Sequence, residues 1–457
     1  MKKIPLFAAS ALALSISMLT MVAAPSIAQG VRNSSEAPPS DEPRERGRRN
    51  REATPAPTAN PAVSRAFGAA YAPLNTATTA RDWPTSETAL TALKAAAVSP
   101  YELYLTSQME FRIASGMENR PRQLTAVVGM IESNGAPATD ATRILVAGGQ
   151  LAYNAEQYAS AAAYIERAIA AGASTTTEGL PLLRLDSLLR SNQLDAAVAY
   201  FGGLDAASAA DDRMYGITAR GLQEAGRESE LTALLIRRVG LFPTHLNIRA
   251  SILSYLQNAP EDRGQTIDLM RLMYRSGAMN DRRYYLEYIS NLVEDGLPAE
   301  SIAIIAAGRS ANLIPAGDAT FREIESGQRD KLTDDRASLP TTERRAAAAA
   351  DGRLARLAGD AYLGYENYTK AEEMYQLALT KSPSDSDLIN TRIGITRFTA
   401  GNYAGAGQAF ALVTGARGSI ARMWEGLVRG RIAEAAAAAA PPATPVAPAT
   451  PTPPAGS

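Results

Sequence analysis

One spacing constrains this chain more than any other feature. Pairs of packing residues four positions apart recur along it: Ala161 with Ile165, Ala197 with Phe201, Leu231 with Leu235, Ser301 with Ile305, Ala371 with Tyr375 and Ala406 with Phe410. Ile267 with Arg271 falls in the same series as its poorest fit. The seven first members are separated by 36, 34, 36, 34, 70 and 35 residues. Residues four apart share one face of an α-helix. A period near 34 residues is that of a helix-turn-helix unit, which cannot bury its apolar face alone and must stack on copies of itself. The interval of 70 is two periods. A repeat is therefore broken or hidden between Ser310 and Asp351, either as a degenerate repeat or as a hinge.

The clearest unit is residues 351–385, DGRLARLAGDAYLGYENYTKAEEMYQLALTKSPSD. Two amphipathic patterns meet across Tyr365-Glu366-Asn367, and Pro383 stops the second. Gly359, Ala371 and Ala378 are small where paired helices must approach, and Tyr362 and Tyr375 are large where the hairpin meets its neighbours. These six residues, Gly359, Tyr362, Ala371, Tyr375, Ala378 and Pro383, resemble the tetratricopeptide repeat. Ala355 and Ala358 depart from it, standing where the family prefers Trp and Leu. Gly149, Ala161 and Ala168, and Gly394, Ala406 and Phe410, repeat parts of the same packing set. The resemblance implies an all-α, right-handed α-solenoid of about eight helix-turn-helix repeats, acting as a binding scaffold.

The flanks differ in composition. Residues 1–28 read as a secretory signal peptide, with Lys2 and Lys3 before an apolar run and Ser26-Ile27-Ala28 as the small-x-small cleavage pattern. Residues 29–82 form a Pro/Arg-rich stretch without apolar period, expected to be disordered. Its run of Arg44, Arg46, Arg48, Arg49 and Arg51, interleaved with acids, reads either as a solvated polyampholyte or as an adhesive patch for an anionic envelope surface. Residues 83–309 and 351–433 carry the repeats, on either side of the break at 310–350. Within the break, 319–331 is helical in pattern, 332–340 replaces its partner, and 341–364 reads as one long helix. A last helix runs from Ser419 to about Ala440, and the Ala/Pro-rich tail, 434–457, is expected to be disordered. No later run is long and apolar enough to span a membrane, so no transmembrane segment is expected after signal cleavage.

Composition narrows the chemistry. The chain of 457 residues has no Cys and one His, and its net charge is -1. Thiol nucleophiles, disulfides and zinc-thiolate sites are excluded. A leader on a Cys-free chain points to a bacterial periplasm, with secretion as the second choice. The charge balance gives no basis for nucleic-acid binding. His245 follows Pro243 at a repeat boundary, without a G-x-S-x-G elbow, and does not read as catalytic. Gly405-Ala406-Gly407 lacks the third glycine of a dinucleotide loop, and Walker-type G-x4-G-K is absent. Asp211 and Asp212 read as helix-start carboxylates, and Asp334 and Asp335 as loop charges. No cofactor, metal site or catalytic residue is expected, so the chain reads as a non-enzyme. Helical superhelices also occur in soluble lytic transglycosylases, but no segment here resembles their catalytic domain.

Aligned on the repeats, Arg143, Arg213, Arg283 and Arg353 share one position, 70 residues apart. In the tetratricopeptide family this position lies early in the first helix of the pair and faces the concave groove. Gln150, Tyr153, Asn154, Arg220, Gln223, Arg356 and Asp360 fall at groove positions too. A row of guanidiniums would hold carboxylates of a peptide or acidic sugar by bidentate bonds. Read plainly, the same arginines are ordinary solvent-facing helix residues. Residues 270–288, MRLMYRSGAMNDRRYYLEY, mix Tyr with Arg and read as core with an exposed fringe. The expected function is a periplasmic scaffold binding a protein or peptide in its groove, in envelope assembly or export. A glycan-binding solenoid acting on peptidoglycan or exopolysaccharide is the alternative, which aromatic groove residues would favour.

Overall fold

A computed structural model of the chain describes residues 61–174, 179–259 and 261–439. The leader, most of the 29–82 stretch and the tail from residue 440 lie outside the described residues. The described residues are helical throughout, without a strand. They form two compact units, the first ending at Tyr200 and the second starting at Phe201.

The first unit holds α1 (Arg65–Thr79), α2 (Trp83–Ala96), α3 (Pro100–Gly116), α4 (Arg120–Glu132), α5 (Ala138–Asn154), α6 (Tyr158–Ala170), α7 (Leu180–Arg190) and the start of α8 (Leu194–Ala206). Start signals are written into the sequence: Ser64, Asp82, Ser99 and Asn119 each accept a backbone N–H of the first turn they precede. Helix α1 corrects the expectation that residues 29–82 are all disordered. The cause is Glu102 of α3, 1% exposed, whose carboxylate accepts the backbone N–H groups of Ser64, Val98 and Ser99. One side chain thus staples the starts of α1 and α3. Phe67 and Leu74 then bury α1 in the same core as Leu90, Leu93 and Tyr104.

The second unit continues with α9 (Asp212–Glu224), α10 (Glu228–Leu241), α11 (His245–Asn258), α12 (Arg263–Arg275), α13 (Arg282–Glu294) and α14 (Pro298–Ser310). A long helix follows, α15 (Ala319–Ala348), then α16 (Arg353–Gly364), α17 (Tyr368–Lys381), α18 (Ser386–Thr399), α19 (Tyr403–Phe410) and α20 (Gly418–Ala439). The turns inside the helix pairs share one left-handed residue, at Glu118, Glu156, Asn192, Gly226, Gly296, Glu366 and Gly401. Turns between pairs carry such a residue too, at Asn134, Gly172, Ser208, Gly277 and Asn312.

Packing at the repeat residues follows from size. Ala161, Ala168, Ala371, Ala378 and Ala406 are fully buried, and Tyr362 is 8% exposed. A Cβ at Gly149 would lie 2.5 Å from Ile165, at Gly359 2.7 Å from the Tyr375 ring, and at Gly394 2.5 Å from the Phe410 ring. The fully buried Tyr375 and Phe410 fill the space those glycines leave. Ala355 and Ala358 are buried on α16, which packs on both α14 and α15.

The 310–350 segment differs from its reading. It is one helix of 30 residues, α15, and it runs through Pro340. The predicted long helix over 341–364 is instead interrupted at 349–352. Proline removes one N–H, but tertiary contacts on both sides hold the helix together. Phe321, Gln328, Leu339 and Ala346 are buried along it. Tyr365 donates to Asp335, so that aspartate is a helix residue with a partner and not a loop charge. Lys381 Nζ donates to the carbonyls of Ala346, Ala347 and Ala349 at 3.0, 2.7 and 2.6 Å, neutralising the exposed helix end.

Candidate binding surface

The site begins with a substitution inside the repeat pattern. Ile267 is buried as the series requires, but Arg271 occupies the position of the larger packing residue and is 3% exposed. A buried guanidinium needs carboxylates. Arg271 donates to Glu300 of α14 at 2.9 and 2.6 Å and to Asp268 of its own helix at 3.0 Å. Asp268, fully buried, also takes Arg417, from the residues just before α20, and lies 3.5 Å from Arg392 of α18. Arg392 pairs with Asp360 of α16, and Asp360 accepts from Arg356 at 3.0 Å and from Tyr375 at 2.7 Å. Tyr288 donates to Glu300 at 2.6 Å.

Carboxylates on α12, α14 and α16 thus meet guanidiniums on α12, α16, α18 and the approach to α20. Burial disfavours the charged form of Asp268, but Arg392, Arg417 and Arg271 outweigh it and hold its carboxyl below the usual range. Glu300 is likewise disfavoured by burial and held low by Arg271. Burial and the Glu300 charge push Tyr288 far above the usual phenol range. Each of Asp268, Glu300 and Asp360 faces at least one guanidinium, four guanidiniums meeting three carboxylates. The cluster binds helices to one another.

Its consequence is topological. Second helices of the earlier pairs, α12 and α14, lie against first helices of the later pairs, α16 and α18. Helix α20 returns to α10 and α12, with Trp424 fully buried and its Nε1 donating to the Asp268 carbonyl at 3.2 Å. Asp360 of α16 and Arg392 of α18 are therefore covered by the protein's own chain.

The predicted groove residues separate accordingly. Asp360 is 1% exposed and lies inside the charge cluster, which corrects its placement in an open groove. Arg356 is half-buried and spent on Asp360. Arg353 is exposed at the start of α16, and Arg283, 79% exposed, pairs with Asp281 just before its own helix. In the first unit, Arg143 pairs with Asp140 at 2.9 Å. Tyr153 donates to Asp186 of α7, with the Arg190 guanidinium over its ring, and Gln150 is half-buried beside exposed Asn154.

Arg213, Arg220 and Gln223 are exposed on α9. Asp212 accepts from Arg238 at 2.7 Å and from Asn247 of α11 at 3.0 Å, tying the starts of α9 and α11 together. Beside that tie stand Arg213 and Leu246, the latter 56% exposed, with Leu253 36% exposed two turns along α11. Sequence reading missed Leu246 and Leu253. Their signal was a seven-residue spacing of leucines off the packing face. It missed the charge cluster as well, whose signal was Asp268-x-x-Arg271 placed on a packing stripe.

These features define a protein of stacked α-helical hairpins, with Arg213, Arg220, Leu246 and Leu253 exposed on α9 and α11. No protein-family model matches the chain, and no curated protein does. Solved structures similar to the chain include two helical-repeat proteins. The structure of Naa15/Naa10 bound to HypK-THB aligns with 11% identity and a TM-score of 0.36 over 81% of this chain; this chain spans 65% of that one's length. The TPR domain of P58(IPK) aligns with 11% identity and a TM-score of 0.21, over 82% of this chain and 99% of that chain.

Proposed function

We propose that the protein is a non-catalytic scaffold of tetratricopeptide kind that binds a protein or peptide partner on the first-helix faces of α9 and α11. The observation that carries this reading is the contrast within one unit. Asp360 of α16 and Arg392 of α18 are covered from within, though Arg353 and Leu357 of α16 stay exposed, whereas Arg213, Arg220, Leu246 and Leu253 are all exposed. Guanidiniums beside exposed leucines are the residue pattern of a protein-binding face. The large apolar side chains exposed among the described residues are all aliphatic. That supports a peptide over a glycan, which asks for aromatic platforms. The leader-like residues 1–28 support a periplasmic setting and a place in envelope assembly or export.

The test is affinity capture from an envelope extract with the chain from Gln29 onward, beside an R213E/R220E/L246D variant of equal melting temperature. The reading predicts a partner held by the first and lost by the second. Equal capture by both sinks it. Cell fractionation checks the compartment, and recovery in the cytoplasm with residues 1–28 uncleaved contradicts it.

A further inference from the structure

Between α10 and α20 runs an open cleft of about 590 Å³, apart from the α9/α11 face. It lies between the second helix of a pair and the returning C-terminal helix. Ser229 and Ser419 line one end, and Gly240 and Arg429 the other, so the two helices run side by side in the same direction. From Ser419 to Arg429 the cleft is about 15 Å long at 1.5 Å per residue. It is preformed. An added Cβ at Gly426 would lie 2.6 Å from the Val239 carbonyl, so the helices touch there, and Trp424 anchors α20 beneath.

Its lining combines Ala233, Ile236, Leu241 and Tyr255 with charged groups on the α20 wall. Arg422 and Arg429 are exposed, and neither is in an ion pair with another of the described residues. Arg422 donates to Ser419 at 3.0 Å and Arg429 to the Gly240 carbonyl at 3.2 Å, leaving most of each fork unused. Seven residues apart on one helix face, they stand about 10 Å from each other. Glu425 lies between them, also on the cleft.

We infer that this cleft is a second docking site, for a short acidic-apolar segment of a partner protein with two carboxylates about 10 Å apart. That distance is matched by acids seven apart on a helix, which share one face about 10 Å apart. Glu425 repels a third acid between them and favours a basic or hydrogen-bond-donating residue there. Apolar side chains of the segment cover Ile236, Leu241 and Tyr255.

The experiment pans a displayed library of random twelve-residue peptides on the full chain. Enriched peptides are then synthesised, labelled and measured by fluorescence anisotropy. The inference predicts enrichment of paired acids seven apart, and binding that weakens as salt is raised. It also predicts affinity at least about tenfold lower for R422E/R429E and largely kept by R422K/R429K. Binding should be unaffected by R213E/R220E, which separates this site from the α9/α11 face. Enriched peptides without paired acids, or with affinity unchanged by R422E/R429E at equal melting temperature, overturn it. So does a library that yields no binder, or a concentration-dependent dimer blocked by R422E/R429E, which would assign the cleft to a second copy.

Discussion

Arg417 and Asp268, 149 residues apart, form an ion pair in the interior of the second unit, where Asp268 is wholly buried and Arg417 nearly so. The pair ties the start of α20 to α12. Removing one partner of a buried pair leaves the other charge uncompensated, which costs about 3–5 kcal/mol. Asp268→Ala should therefore destabilise the second unit by that amount in chemical denaturation. Limited proteolysis should then cut within 418–439. An unchanged denaturation midpoint would show that the pair contributes nothing.

The same cluster fixes an acid response. Asp268 and Glu300 have folded-state pKa values below their unfolded ones. Their stabilisation is complete above the unfolded values, about 3.9 and 4.3, and is lost as pH falls through the folded ones. Glu102 behaves alike in the first unit. Burial alone would raise it, but the N–H groups of Ser64, Val98 and Ser99 hold it at about 2. Stability from these groups should be level from pH 7 to about 5 and fall below about 4. Glu102→Gln should reduce that acid slope in the first unit, measured by melting temperature against pH.

Gly359 tests the packing register. A Cβ there would meet the Tyr375 ring at 2.7 Å, and that ring is fixed by its bond to Asp360. Gly359→Ala and Ala371→Leu should each destabilise by about 1–3 kcal/mol through overpacking. Unchanged melting temperatures would place both side chains elsewhere.

Glu156 tests the repeated turn. It holds φ +60 between α5 and α6, where Gly226 and Gly296 stand in other pairs. A left-handed non-glycine residue carries about 1–2 kcal/mol of strain. Glycine's greater unfolded-state freedom offsets part of that gain. Glu156→Gly should leave the melting temperature equal or higher, and a clear fall would mean the turn relies on a Glu156 contact.

The fold was legible because periodicity and helix-start residues report local physics. Ala161 with Ile165 and Ala371 with Tyr375 locate helix pairs without any knowledge of neighbours. The parts that misled were decided by distant contacts. Glu102 orders α1 from the sequence's far side of a hairpin, and Lys381 finishes α15 from α17. Asp360 looked like a groove residue because position in a repeat says which face it takes, not what covers that face. Arg271, the poorest member of the series, was the visible sign of that cover.

The central claim is that the second unit closes on itself through the charge cluster and α20. Hydrogen exchange on the full chain tests it directly. Residues 418–428 are buried except Ser419, Arg422 and Glu425, whereas 432–439 are exposed. The account predicts slow, concerted exchange for α18 and residues 418–428, faster exchange for 432–439, and acceleration of the first two together in Asp268→Asn. Rapid exchange of all of α20, unchanged by that substitution, would contradict it.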